Sequence, residues 1–501
     1  MTEEPFVIGD APARPMIRWT RLDTIAAVVI VVAAACLRIV SLGRPVELVF
    51  DEIFYARNAC WYLYASEAVC GIADQASRGH PPLGNWLVAS GIAAFGYVPF
   101  GWRIGAAVAG TLSVGLVYLL AWRLLRGWTV DRGATAGAVA ASGLLATDFL
   151  HLVQSRIGML DAFLVLFVIG AVLCIVLDRD RVRAASVDAW WWRLALGRPW
   201  RLVAGIFLGA AIGVKWSGAY VVPAILALLV AWEVAEARRR SPALGWSGAV
   251  VGAVRREALP SLVLLGIVPV LVYMAGYIGR MPGELVALPW DPGSVWRGIW
   301  EHQRAMLEFH TGSSPVHPYQ SPPWSWPLLR RPVAYWFSDE GATYREILAL
   351  GNPATWWPGL VALAALAVTW WRSRLGLGRP EPVILAAAVG TYLPWIAAAG
   401  SGQAFIWYFL PTVPFLCLAL ACFAAWGWER IAGRVAAAAY ALVVLATFGL
   451  YVPMLTALPL EPGAWRTRIL FADCTRPDGT VQQLPDDTTS EGQPPRGWCW
   501  I

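Results

Sequence analysis

Apolar runs too long for the core of a soluble domain alternate along the 501 residues with short polar connections. Runs near 20 residues match the length a helix needs to cross a hydrocarbon layer of about 30 Å, and a helix satisfies its own backbone there. The pattern predicts eleven spans, at 24–42, 104–125, 134–151, 157–177, 201–214, 217–235, 259–279, 356–371, 382–398, 405–427 and 435–456. Runs of this length exclude a β-barrel, whose strands need only about 10 alternating residues. The expected fold is therefore an all-α polytopic membrane protein.

The polar connections orient the bundle. Alternate short ones carry Arg123, Arg126 and Arg132; Arg179, Arg181, Arg183, Arg193 and Arg198; Arg238, Arg239, Arg240, Arg255 and Arg256; Arg372, Arg374 and Arg379; then Arg430 and Arg434. Lys/Arg bias in short loops marks the cytoplasmic side. Segments 43–102, 280–355 and the tail 457–501 are then external, and residues 1–23 form a cytoplasmic tail, followed by a run too long for a signal peptide. Residues 83–99 imitate a further span, but counting them breaks the alternation, so an interfacial helix within the first external loop is expected.

Composition agrees with the pattern. At 58% hydrophobic and 14% charged residues the chain cannot clothe a water-soluble globule, and no nucleic-acid partner is expected. Of the eight cysteines, Cys36, Cys174, Cys417 and Cys422 fall in spans, whereas Cys60, Cys70, Cys474 and Cys499 fall in the segments assigned outside. An oxidising exterior permits disulfides there, with Cys60–Cys70 and Cys474–Cys499 the sequence-local pairs among three connectivities; four free thiols are the alternative. No zinc spacing, P-loop or inverted repeat is present. Nothing in the sequence requires a cofactor, and a divalent metal stays open.

The charges that topology does not explain sit on the side opposite the basic loops. "PVELVFDEIFY" (45–55) places Asp51 and Glu52 just after the first span; Arg103, Arg156 and Lys215 mark the same ends of later spans. A basic side chain at membrane depth costs roughly 2.5 to 3.5 kcal/mol on insertion scales, so an anionic lipid phosphate is a natural partner. Snorkelling, or an Arg156–Asp161 ion pair, is the structural alternative. As helical neighbours Asp51 and Glu52 point about 100° apart, so one faces a site while the other orients it; Asp51 as a simple N-cap is the alternative. Segment 280–355 brings Trp290, Trp296, Trp300, Trp324, Trp326 and Trp336, with Trp356 and Trp357 just beyond, which reads as a loop lying on the membrane, a stacking platform for sugar or peptide being the sharper alternative. His302, His310 and His317 lack metal-ligand spacing and read as satisfied loop residues.

An ordered series of short motifs resembles the bacterial protein O-mannosyltransferases, polyprenyl-phosphate-sugar enzymes of the GT-C class. "FDEIFYA" after the first span is similar to the family's Asp-Glu motif. "GHPPLGNWLVA" (79–89), "WRIGAAVAGTL" (102–112), "QSRIGMLDAF" (154–163), "GVKWSGAY" (213–220), "HPYQSPPWSWPLL" (317–329) and "FIWYFLPTVPF" (405–415) follow in family order. Segment 280–355 leaves no room for the β-trefoil domain of the fungal members. The resemblance implies a GT-C membrane domain over 24–456 that transfers mannose, with inversion, from a polyprenyl-phosphate-mannose donor to Ser/Thr hydroxyls of secreted or membrane proteins. The reaction is expected at the outer face of the plasma membrane, among membrane lipids and beside the protein translocon. It implies Asp51 as general base, Glu52 positioning donor or base, Arg103 on the donor phosphate with Lys215 and Arg156 behind it, and His80, Asp161, Trp216 and Gln403 as further site candidates, with His317 beside them. A lipid or cell-wall glycan acceptor would need the same donor machinery. A transporter would instead place its telling charges near the midplane.

Overall fold

A computed structural model describes residues 17–74, 77–130, 132–184, 197–241, 243, 245–281, 284–287, 295–312, 319–398 and 404–469. The first helix, Arg21–Ile39, starts on a capping box: the Thr20 hydroxyl accepts from the Asp23 amide, and the Asp23 carboxylate accepts from the Thr20 amide at 2.7 Å. The same carboxylate accepts from the Thr135 hydroxyl at 2.6 Å, tying this helix to Gly133–Ala146.

Among the described residues eight helices are long and apolar enough to cross a membrane, as expected of a multi-pass protein: Arg21–Ile39, Pro99–Leu125, Asp161–Arg183, Trp216–Arg240, Trp246–Ala275, Pro353–Arg372, Ile406–Gly427 and Ile431–Leu455. The other three expected spans are helical but shorter, with 14 residues in Gly133–Ala146, 16 in Pro199–Val214 and 17 in Glu381–Ala397. The run expected as 134–151 is broken because Asp148 caps a separate short helix, Phe149–Gln154, accepting from the His151 amide at 3.0 Å. Residues 83–99 supply an apolar helix of 13 residues, Leu83–Phe95.

The helix expected from residue 259 instead begins at Trp246 and runs through Arg255, Arg256 and Glu257. Glu257 is buried and neutralised: it pairs with Arg201 and, at 3.1 Å, with Arg198, while Asp178 meets both guanidiniums at 3.0 Å. Two carboxylates and two guanidiniums cancel, which sequence hydropathy cannot register. Close helix approach is also specified locally. A Cβ at Gly205 would collide with the Leu264 carbonyl, so Pro199–Val214 sits directly against Trp246–Ala275 only because residue 205 is glycine.

Segment 280–355 contains more than a loop. Two antiparallel hairpins occur in this part of the chain, β1 (Ile278–Met281) with β2 (Glu284–Ala287) and β3 (Val333–Asp339) with β4 (Tyr344–Ala349), the second pairing Val333 with Ala349 and Asp339 with Tyr344 across a bulge after Ala334. The helix Val295–Thr311 turns His302 and Met306 inward and leaves Trp296 and Trp300, one turn apart, 76% and 65% exposed. That face suits a membrane surface. Trp326 and Trp356, by contrast, are wholly buried core residues.

Cys60 and Cys70 form a disulfide across a separation of 10 residues; Cys474 and Cys499 lie outside the described residues, as do His317 and Gln403. Replacing both Cys60 and Cys70 by serine is expected to lower stability by about 2 to 3 kcal/mol through loop-closure entropy. Thermal unfolding of the double variant against the unreduced protein measures it, and an unchanged midpoint would show the cross-link to be idle.

Candidate functional site

The site is built around a clamp. Arg103, on Pro99–Leu125, is fully buried, and each of its donors has a partner. Its Nε and one Nη bind the two Glu52 oxygens at 2.7 and 2.8 Å, and the Nη groups also donate to the carbonyls of Leu42, Pro45 and Glu47 at 3.2, 2.7 and 2.9 Å. Glu52 is equally saturated, accepting in addition from the amides of Val49 at 2.8 Å and Gly158 at 2.7 Å. The pair therefore staples the turn 42–52 to two helices. This corrects one expectation, since Arg103 has no donor left over for a phosphate; Glu52 is turned into the clamp, which leaves, of its two expected roles, the positioning of the base.

What the clamp positions is Asp51. The residue before it, Phe50, has φ of 50°, a left-handed conformation costing a non-glycine residue roughly 1 to 3 kcal/mol and typical of strained functional turns. Packing holds it there: the Phe50 ring stacks on Tyr335 of β3 at 4.4 Å and meets Trp407 edge-on at 5.3 Å. Asp51 then precedes the helix Glu52–Tyr64 without capping it, and its carboxylate makes no hydrogen bond among the described residues. The N-cap alternative fails.

The charges that act on the Asp51 carboxyl are those of Lys215 and Asp161. Lys215 ends Pro199–Val214, is 5% exposed, and donates to Asp161 at 2.7 Å beneath the Tyr408 ring, its nitrogen 5.5 Å from the ring centre. This one bond leaves two ammonium protons for a ligand. Asp161 thus pairs with Lys215 rather than with Arg156. Loss of hydration pushes the Asp51 carboxyl up to about 7, Asp161 adding to the rise and Lys215 opposing it.

Aromatic and imidazole groups enclose the acid and the cation. Tyr55 lies 6.0 Å from His80, His80 lies 5.5 Å from His310, and His310 lies 6.2 Å from Trp216. Burial holds both imidazoles below their usual range, with Lys215 adding to the effect, so they are neutral near pH 7; His310 Nε2 sits 2.9 Å from the Gly79 carbonyl. Opposite them, Gln154 donates to the Tyr335 hydroxyl at 2.6 Å, and its buried Oε1 has no partner.

The structure therefore brings together Asp51, Asp161, Lys215, His80 and Trp216. It does not bring in Arg156, whose Nη donates to the carbonyls of Leu37, Arg38 and Val40 at 2.8, 3.1 and 2.9 Å. That expectation is corrected because the open carbonyls at the end of the first helix capture the guanidinium. Phe50, Tyr55, Gln154, His310, Tyr335, Trp407 and Tyr408 were not singled out by sequence. Five of them, Phe50, Tyr55, Gln154, Trp407 and Tyr408, lie inside the quoted motifs, whereas His310 and Tyr335 reach the site only through tertiary packing.

The electrostatics make a signed prediction. Asp161→Asn removes the charge that raises Asp51 and strengthens the influence of Lys215, so the pH midpoint of any Asp51-dependent rate moves to lower pH; Lys215→Gln moves it higher. Rate profiles of the two variants that shift in the same direction would contradict this electrostatic coupling.

A helical membrane bundle carrying an acid, a cation and an aromatic wall at one end of its helices matches known enzymes in fold. The chain superposes on a structure of the S. cerevisiae protein O-mannosyltransferase Pmt1–Pmt2 complex bound to the sugar donor with a TM-score of 0.70 at 14% identity, covering 91% of this chain and 93% of that one. The archaeal oligosaccharyltransferase AglB from Archaeoglobus fulgidus gives 0.51 at 16% identity, covering 95% of this chain and 61% of that one. The fold is that of the GT-C membrane glycosyltransferases. Residues 28–277 match the family described as dolichyl-phosphate-mannose-protein mannosyltransferase, and residues 295–473 match the C-terminal four-transmembrane region of protein O-mannosyltransferase. The polyprenol-phosphate-mannose–protein mannosyltransferases of Mycobacterium tuberculosis and Corynebacterium glutamicum are 31% and 32% identical to it; they align over 93% and 88% of this chain and over 96% and 92% of their own lengths. The chain belongs to the protein O-mannosyltransferase family and is a glycosyltransferase.

Proposed function

We propose that the chain transfers mannose from a polyprenyl-phosphate carrier to serine or threonine hydroxyls of proteins, with Asp51 as the base. The observation that carries this reading is the pairing of an unbonded carboxylate, poised near pH 7, with a lysine that has protons to spare. The acceptor oxygen attacks the anomeric carbon on the face opposite the phosphate, the bond from that carbon to the phosphate oxygen breaks, and its electron pair leaves on the phosphate. The acceptor proton passes to Asp51. One displacement inverts the anomeric centre and needs one base.

Lys215 takes the phosphate charge that grows as the bond breaks, an interaction stronger in the transition state than before it. Asp161 aims the ammonium in the absence of donor. Arg103 acts one step removed, by fixing the turn that carries Asp51. The arginine-rich connections lie at the opposite helix ends, and Cys60–Cys70 is joined on the site side, which supports a site facing out of the cell across the plasma membrane.

The test supplies purified full-length protein with polyprenyl-phosphate-[14C]mannose, a Ser/Thr-rich peptide and a membrane-lipid extract. Label is expected on the peptide, with the configuration opposite to the donor's. Label confined to the lipid fraction would overturn the protein-acceptor reading.

A further inference from the structure

A separate apolar cavity has none of the residues around Asp51 in its lining. A cavity of about 870 Å³ opens between Arg21–Ile39, Gly133–Ala146, Val413–Gly427 and Ile431–Leu455. Its volume is that of a ligand pocket, and its walls, including Ile30, Leu37, Val444 and Phe448, are almost wholly apolar. Arg156 is the single charged residue among those lining it.

Arg156 is 7% exposed, and only one of its three guanidinium nitrogens is engaged, by the carbonyls that end the first helix. Its Nε and second Nη have no partner among the described residues. Close behind it, the fully buried Arg38 repels it and leaves its own Nε unbonded; its two Nη atoms meet the Ala34 carbonyl at 3.0 Å and His151 Nδ1 at 2.8 Å, and the Asp148 charge partly offsets its own. A guanidinium with open donors in the lining of an apolar groove, backed by a second buried one, calls for an anion with a hydrocarbon tail.

We infer that this groove holds one anionic membrane phospholipid, its phosphate on Arg156 and its acyl chains between the four helices. The sugar donor is a different molecule: in the proposed mechanism its phosphate lies on Lys215, which is paired with Asp161, whereas Arg156 is held by the carbonyls that end the first helix.

The probes are phosphatidylglycerol and a diacylglycerol with the same chains, titrated into delipidated full-length protein and read by native mass spectrometry. One phosphatidylglycerol per chain is expected, bound at least tenfold more tightly than the diacylglycerol, with Arg156→Gln reducing that preference to within twofold. Because Arg156→Gln also frees helix-end carbonyls, Gly143→Leu is the second variant. A Cβ at Gly143 meets nothing within 4 Å, so leucine fills the groove without a backbone clash. It is expected to weaken phosphatidylglycerol binding at least tenfold while the unfolding midpoint without lipid is unchanged. Equal binding of both probes by the native chain, or native-like binding by Gly143→Leu, overturns the proposal. So does displacement of phosphatidylglycerol by one equivalent of polyprenyl phosphate, which would give the groove to the donor.

Discussion

Asp51→Asn is expected to abolish measurable mannosyl transfer, a fall of about 10² to 10⁴ in rate for the loss of a general base, and more if the remaining steps depend on it. The protein should still fold, because the native carboxylate accepts no hydrogen bond that asparagine would have to replace. Asparagine also removes the unfavourable burial of a charge. The native enzyme supplies the matching pH test. A base must be deprotonated to act, and the Asp51 carboxyl is raised to about 7, so kcat/KM should climb with pH through the neutral range and level off above it. An ordinary exposed aspartate would level off near pH 5 and leave the neutral range flat. Near-native transfer by Asp51→Asn, or a flat profile from pH 5.5 to 8, would remove Asp51 from the proposed role.

Arg103 should show the opposite combination, a stability defect with an indirect loss of rate. Arg103→Leu leaves Glu52 charged at zero exposure and orphans the carbonyls of Leu42, Pro45 and Glu47. Removing one member of a buried, hydrogen-bonded ion pair costs about 3 to 5 kcal/mol. Arg103→Lys should recover little, since an ammonium cannot span both Glu52 oxygens and three carbonyls. Thermal unfolding in detergent, run beside donor binding, separates this from a direct phosphate contact. If Arg103→Lys keeps the native midpoint but loses donor affinity, the guanidinium touches the donor after all. If Glu52→Gln and Arg103→Leu together cost no more than either alone, the two act as one unit.

The motifs mark segments that the structure brings together around Asp51, but not which of their side chains stay open. "FDEIFYA" places two carboxylates at the end of the first span, but only the tertiary structure separates an acid left open from one spent on a clamp. Arg103, Arg156 and Lys215 look alike in sequence, each a cation at the same end of a span. Their fates differ because each meets a different partner: a carboxylate with five donors filled, the open carbonyls of a helix end, and Asp161 with protons left over. The Arg156–Asp161 pairing open in sequence as a structural alternative is lost to Lys215, 54 residues away. His310 and Tyr335 gave no local signal at all, since a histidine on an amphipathic helix and a tyrosine in a strand are ordinary residues until packing turns them toward Asp51.

Hydrophobic run length is a local property set by the thickness of the solvent being crossed, so the sequence by itself determined a multi-pass helical protein and the order of its family motifs. It also marked residue 51, because an uncompensated charge beside an apolar run stands out against its neighbours. Which charges cancel, which remain free and which groove a cation faces depend on distances between residues far apart in the chain. Electrostatic and hydrogen-bond energies fall off within a few ångströms, and only the packed bundle fixes separations that small.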